Sequence, residues 1–587
     1  MTGTFEEDGE PTILADSSKR VARSTVLMAV GTTLSRITGL GRIVALAFAL
    51  AGAGFADSYN LANTTPNIIT DIVIGGVLSA TFVPVFSDYL ATRKSEEAWR
   101  AISAVVTVTL VLLALSTVVF FILAPEIIDL YTVTNHRADL HQQQQVAVFL
   151  LRWFVPQLTC YGLIALITAL LNARRRFAAP MFVPIANNVV VIIVLLWFHA
   201  LVPHPSLASI AAHHRGLVLL GIGTTLGVVV QAVLLVPDLR RADLHLRLLW
   251  QPTHAAVRTI TRLAGWTFGI VLSNQVSFIV ILALADGTAV AGGVTAYTYA
   301  YAFFQLPYGI ITVSVMSAVT PSLSARWAQG DLAGFRHRFG FGLRSILAII
   351  VPSAVGLVLL AHPIIGLVLQ HGAETSAQAS ATASTLVMFA LGLPGFCVFL
   401  YAFRIFQSMQ DTKSAFKLYL AENVITIALG VILVWPFGVE GLALAGSVAY
   451  SVMAVVALRQ IGERIGGLGG RRTTEPISRV VISSVVMGVI VLVVTILLPG
   501  SGLFSLFVEI VVALLLGTGA FLASTLVLGR RAEAGRAGRM TNGPSPTGRD
   551  RPGPPAFRDR LDSDDPSPRG RHLRVIDHRS PPPEGSP

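Results

Sequence analysis

Charge is scarce in this chain: 13% of its 587 residues are Asp, Glu, Lys or Arg, against 53% hydrophobic ones. A soluble domain carries about a quarter charged residues, so this composition excludes an ordinary soluble globular protein. Cysteine is nearly missing. Cys160 and Cys397 both fall within apolar runs and offer no disulfide framework and no cysteine-based metal cluster. Lysine occurs four times, at Lys19, Lys94, Lys413 and Lys417, so arginine carries most of the positive charge behind a net +11. Those basic residues sit in short joints between apolar runs, and no nucleic-acid partner is expected. There is no Walker-type phosphate loop, nucleophile elbow or HExxH motif, and the chain is expected to be no enzyme. His199, His204, His213 and His214 lack a clear ligand spacing, so no metal site and no cofactor are expected. The first eighteen residues are polar and acidic, unlike the start of a secretory signal, and no cleaved leader is expected.

What is present is a series of apolar runs about twenty residues long, with a mean hydropathy of +0.69. They predict an all-α polytopic membrane protein of about fourteen transmembrane helices. The limits read from the sequence are 24–52, 56–90, 100–124, 146–172, 180–202, 216–236, 257–285, 292–325, 339–361, 383–409, 413–436, 440–460, 477–499 and 503–528. Joints on the side of the N-terminus carry Arg93, Lys94 and Arg100, then Arg174, Arg175 and Arg176, Arg240, Arg241 and Arg247, Arg326, Arg336 and Arg338, Lys413, and Arg464, Arg471 and Arg472. The opposite joints carry only Arg137 and Arg215. That asymmetry places both termini in the cytoplasm.

A weak internal repeat recurs at an offset of about 235–241 residues. Pro66 opens a segment ending Ser79-Ala80, Pro84 and Ser87; Pro307 opens one ending Ser317-Ala318, Pro321 and Ser324. Six spans separate the copies, an even number, so the halves should be parallel with a site at their interface. The expected organisation is a cytoplasmic N-terminal tail (1–23), a six-helix lobe (24–236), a cytoplasmic linker (237–256), a second six-helix lobe (257–460), two extra helices (461–528) and a tail (529–587). That last segment is too rich in Pro, Gly, Arg and Ser to bury a core, and disorder is expected there.

Inside this apolar background the polar residues stand out. Arg36 and Arg42 lie within the first run, in Ser35-Arg36-Ile37-Thr38-Gly39-Leu40-Gly41-Arg42. An arginine at a helix centre costs at least ~2.5–3.5 kcal/mol. With a rise of about 1.5 Å per residue from Ser24, Arg36 is roughly 18 Å deep. The pair is therefore expected to face a polar cavity that holds something negative. Asp57, Asn60, Asn63 and Asn67 gather at the start of the second span, the three asparagines at helical spacing. Asp57 would either cap that helix or balance an arginine across the cavity. Farther on, Glu422 and Asn423 sit in the eleventh span, where a carboxylate is a candidate proton or cation site. Arg174, Arg175 and Arg176 are candidates for gathering an anionic headgroup at the cytoplasmic side.

"SRITGLGR", "ADSYNLANTTPN", "SATFVPVF", "LNARRRFAAPMFVPIANN" and "YTYAYAFFQLPYGI…PSLS", in this order, resemble the MurJ/MviN lipid II flippases of the MOP superfamily over roughly residues 24–528. The resemblance implies a fourteen-helix flippase with two six-helix lobes working by alternating access, its final helices forming a groove for a lipid tail. The cargo it implies is the undecaprenyl-pyrophosphate-linked peptidoglycan precursor, with membrane lipids and cell-wall synthesis proteins as further partners, in the bacterial cytoplasmic membrane. By the same resemblance Arg36 and Arg42 match two cavity arginines, and Asp57 matches an aspartate before the Pro-Asn motif. Thr70 and Asp71 replace a common double arginine, Gly75 a glutamate, and Ala302 and Gln305 a cavity arginine and a nearby acid. These departures leave room for a MOP-type exporter of another polyprenyl-linked glycan or of a drug, or for a non-transporting cell-wall scaffold.

Overall fold

The computed structural model describes residues 10–50, 53–75, 86, 95–174, 176, 178–203, 205–212, 214–241, 246–289, 291–370, 376–500 and 502–541. Among them there is no β-strand. Long apolar runs without strand-like alternation have one way to satisfy their backbone groups away from water, and it is the helix.

In chain order, α1 (Glu10–Ala49) and α2 (Ala53–Thr70) form the first pair, and a π-helical turn (Asp71–Gly75) follows α2. The first half continues with α3 (Ser95–Ile122), α4 (Ala124–Tyr131), α5 (Leu140–Phe154), α6 (Gln157–Ala173), α7 (Ala178–Leu201), α8 (Leu207–Ala212) and α9 (His214–Arg240). The second half holds α10 (Ala255–Asp286), α11 (Gly293–Pro307), a second π-helical turn (Tyr308–Thr312) and α12 (Val313–Ala328). It continues with α13 (Leu332–Leu369), α14 (Ser376–Ser408) and α15 (Thr412–Ile465). Last come α16 (Arg471–Leu497) and α17 (Leu503–Thr541). The two π-helical turns recur at an offset inside the range of the sequence repeat. Such turns are rare and collect at functional sites.

Eleven helical stretches among the described residues are long and apolar enough to cross a membrane. Predicted spans three to fourteen fall on them, with α15 alone covering 413–436 and 440–460. α1 and α2 lie where the first two spans are expected, but the polar residues they carry keep them outside the eleven. Ser79, Ala80, Pro84, Ser87, Arg93 and Lys94 lie outside the described residues. At the other end α17 runs on to Thr541, so helix extends about a dozen residues into the segment expected to be disordered. The stretch Arg530–Arg539 is rich in arginine and alanine, both good helix formers, which accounts for the difference.

α15 holds two spans because it turns at Gly438, where φ is 59° and ψ −136°. That conformation is close to glycine-only, and forcing a side chain into it costs about 1–3 kcal/mol. Gly438→Ala is expected to lower the thermal unfolding midpoint of the purified protein. Gly446→Ala, in open space in the same helix, leaves the midpoint unchanged or raises it.

Within the first half, α1 lies along α7, α7 along α9, and α2 along α5 and α6. Within the second, α14 packs between α13 and α15, and α10 lies along α15. Aromatic rings fix α11 against α14: Phe304 stands 5.2 Å from Phe389 and 5.0 Å from Phe396, centroid to centroid. The joints before α13 and α15 are built alike. Asp331 accepts from the Gly334 N–H at 2.8 Å and pairs with Arg326; Asp411 accepts from the Ser414 N–H at 3.0 Å and pairs with Arg464. The Gly334 amide and then Arg326 hold the Asp331 carboxyl below its ordinary value. Across the halves, α11 lies beside α1 and α2, and α10 beside α3 and the first π-helical turn.

Candidate functional site

Arg36 and Arg42 are six residues apart, which turns them to different sides of α1. Between them α7 clamps the helix: Asn188 Nδ2 donates to Ser35 O at 3.3 Å and to Thr38 Oγ1 at 3.0 Å. Arg36 lines a cavity of about 560 Å³ bounded by α1, α7 and α11. Its guanidinium lies over Gly309 in the second π-helical turn, where a methyl group would sit 3.0 Å from Cζ. The bare backbone at Gly309 is what lets the arginine reach this position. Ala302 and Gln305 line the same cavity. On its own side of α1, Arg42 donates from Nη2 to Asn63 Oδ1 at 3.2 Å. No carboxylate pairs with either arginine among the described residues. Two guanidinium groups inside a membrane protein thus keep their charge available for an anion.

The polar set of α2 divides. Asn63 and Asn67 stay on the Arg42 side: Asn63 holds Arg42, and Asn67, exposed, donates to Asn63 O at 3.2 Å. Asp57 and Asn60 do not. Asp57 is fully buried; it neither caps its own helix nor faces an arginine, the two roles open to it from sequence. Its carboxylate accepts from the Gly292 N–H at 2.8 Å, the Thr295 N–H at 2.9 Å and the Thr295 hydroxyl at 2.7 Å. Asn60 Nδ2 donates to the same Thr295 hydroxyl at 3.0 Å. A carboxylate on the exposed N–H groups of a helix start is a favourable placement, and here the helix belongs to the other half of the chain.

A second network ties the same ends and was missed from sequence. Asp286, at the end of α10, is buried and accepts from Asn135 Nδ2 at 2.9 Å and Gln143 Nε2 at 2.5 Å. Arg137 stands 3.8 Å from the Asp286 carboxylate and donates to Gln143 Oε1 at 2.7 Å. Arg137 counted in the sequence only as a loop charge; nothing local to it indicates a partner some 150 positions away.

Glu422 is buried in a pocket of about 60 Å³ in the second half. Thr426 donates to its Oε1 at 2.9 Å, and its Oε2 is buried without a hydrogen-bond partner among the described residues. Asn423 lines the same pocket while its amide donates to Tyr419 O at 2.8 Å in its own helix. Tyr301 lines both this pocket and the Arg36 cavity. Among the described residues no group of three or more His, Cys, Asp or Glu could hold a metal ion. Arg174 lies over the Trp99 ring, 5.4 Å from its centroid, Arg176 is exposed, and Arg175 lies outside the described residues. Neither Arg174 nor Arg176 lines the Arg36 cavity.

Residues 46–513 match the family described as Lipid II flippase MurJ. A probable lipid II flippase MurJ of Vibrio cholerae is 25% identical over 480 residues, covering 80% of this chain and 88% of that protein. One of Rhizobium tropici is 28% identical over 465 residues, covering 78% and 84%. Among solved structures, a lipid II flippase MurJ in an inward closed conformation superposes with a TM-score of 0.71 at 22% identity, over 86% of this chain and 99% of that one. An inward-facing multidrug resistance MATE family transporter of the MOP superfamily gives 0.62 at 14% identity, over 76% and 98%. These likenesses in structure show a shared helical fold. The family match spans most of the sequence, from the end of α1 into α17: the chain is a multi-pass membrane protein and belongs to the lipid II flippase MurJ family.

Proposed function

We propose that the protein moves lipid II, the undecaprenyl-pyrophosphate-linked peptidoglycan precursor, from the inner to the outer leaflet of the bacterial cytoplasmic membrane by alternating access. The observation that carries this reading is the Arg36 guanidinium, with no carboxylate paired to it among the described residues, on the wall of a cavity bounded by α1, α7 and α11. Arginine offers a pyrophosphate charge-assisted and bidentate hydrogen bonds, and in a site poor in water these are strong. Arg42, steadied by Asn63, supplies a second cation. Two lobes, 24–236 and 257–460, would rock about this site, with 461–528 guiding the lipid tail. With both termini cytoplasmic, the Asp57 and Asp286 contacts lie at the outer face and keep it shut in this conformation. Export then requires breaking them. A cargo carrying about two negative charges gains roughly 4–5 kcal/mol per 100 mV when it leaves a negative interior, enough to bias the cycle.

Glu422 and Asn423 are the proposed coupling site. A buried carboxylate with one oxygen lacking a partner gains from taking up a proton or a cation. Tyr301, shared with the Arg36 cavity, gives that event a direct contact with the cargo's surroundings. Glu422→Gln, which keeps the size and the Thr426 contact, is expected to slow transport at least tenfold without lowering the amount of folded protein. An uptake assay in vesicles with and without an imposed ion gradient reads the effect.

The function itself is tested in cells by the fraction of lipid II reachable from outside when this protein is depleted. A fall in that fraction, reversed by the wild-type chain, supports the reading. An unchanged fraction, with no other transporter present, makes another polyprenyl-linked glycan the cargo.

A further inference from the structure

Asp71 opens the first π-helical turn, immediately after α2. Asn63, Asn67 and Asp71 follow at four-residue steps, so they share one face of the helix. Asn63 on that face holds Arg42, and both Asn67 and Asp71 are exposed there. By helical rise Asp71 lies about 27 Å from the start of α2, and Arg36 about 20 Å from the end of α1, which neighbours it. The face that meets Arg42 therefore carries an acid roughly 7 Å, or a little more than one turn, farther toward the cytoplasmic end than the level of Arg36. Gln275 of α10, across the interface, donates to Asp71 Oδ2 at 2.9 Å. An amide orients a carboxylate and leaves its charge uncancelled. No cation pairs with Asp71 among the described residues. An oriented carboxylate with no cation beside it among the described residues, where the second span is expected, is a candidate binding position.

Resting on the reading of the cargo as a pyrophosphate-linked lipid, we propose that Asp71 is a specificity-determining residue that binds an ammonium group on the cargo's peptide. The two signs are separated in the order such a cargo requires. Its pyrophosphate, next to the lipid, meets Arg36 and Arg42; its polar head, reaching toward the cytoplasmic end, meets Asp71. A lipid pyrophosphate without an amine would use the arginines alone.

The test is binding to the purified full-length protein in lipid nanodiscs, with two probes. One is an undecaprenyl-pyrophosphate disaccharide pentapeptide with a free side-chain ammonium; the other is the same lipid with that amine acetylated. Wild type is expected to bind the free amine about tenfold or more tightly than the acetylated lipid, the scale of one charged hydrogen bond. Asp71→Asn, which keeps an acceptor for Gln275 and removes the charge, binds both lipids as wild type binds the acetylated one. Gln275→Ala, which removes the tie and keeps the charge, retains the preference. Equal binding of the two lipids by wild type, or a preference that survives in Asp71→Asn, overturns the proposal and leaves the pyrophosphate reading standing. Failure of wild type to bind either lipid overturns both.

Discussion

Asp57→Ala is expected to part the ends of α2 and α11 and to shift the resting population toward the opposite conformation. Three hydrogen bonds to a fully buried carboxylate are lost at once, two of them from the otherwise unsatisfied N–H groups at the start of α11. Hydrogen bonds to a charged group are worth about 1.5–3 kcal/mol each, and they are not additive when they share one acceptor. A net loss of about 3 kcal/mol corresponds to roughly a hundredfold change in the ratio of the two states. Spin labels at the outer ends of the two halves, read as a distance distribution, report it: a longer distance gains population in the variant. Asp57→Asn retains an acceptor and falls between wild type and alanine. The Asp286 network persists in both variants, so adding Asp286→Ala to Asp57→Ala should increase the long-distance fraction further. A wild-type distribution in Asp57→Ala would mean that this contact does not hold the ends together.

The second large effect concerns the cargo. Arg36→Ala removes the cation that lines the cavity and is expected to weaken binding of a polyprenyl pyrophosphate by about tenfold to a hundredfold, the scale of one charged hydrogen bond. Arg36→Lys restores charge without the planar fork and recovers only part of the affinity. Arg42→Ala has a comparable effect on binding and also releases Asn63. Stability responds in the opposite direction. An unpaired guanidinium inside the bundle is costly, so Arg36→Ala leaves the folded protein as stable as wild type or more so. Titration of the lipid into purified protein, beside a thermal melt, separates the two readouts.

How much of this was legible from the amino acids depends on the range over which each signal acts. Apolar runs specify helices locally, and α3, α5 to α7 and α9 to α17 stand close to where hydropathy puts them, while the short α4 and α8 fall between the expected spans. Arg36 could be read because charge in an apolar run is anomalous whatever surrounds it. The break at Gly438 was legible too, since Pro436 and Gly438 interrupt an apolar stretch. Asp57 was recognised as important and its partner was not. The Gly292 amide becomes an available donor only because α11 begins there in space beside α2. Arg137 and Asp286 fail for the same reason: each has an ordinary local explanation, and only the approach of α10 to the loop before α5 makes them a pair. Asn188 ends one of the motifs that carry the resemblance, while its hold on Ser35 and Thr38 depends on α7 lying along α1. The two π-helical turns left no sequence signal beyond the prolines before them.

The central claim is that the arginine-lined cavity carries a pyrophosphate-linked lipid across the bilayer. Transbilayer movement of fluorescent lipid II in proteoliposomes, followed by quenching from the outside under an imposed membrane potential, tests it most directly. The account predicts movement by wild type that speeds up when the potential favours export of negative charge, and a rate at least tenfold lower for Arg36→Ala at equal reconstitution. Equal rates for wild type and Arg36→Ala, or movement indifferent to the sign of the potential in both, would contradict it.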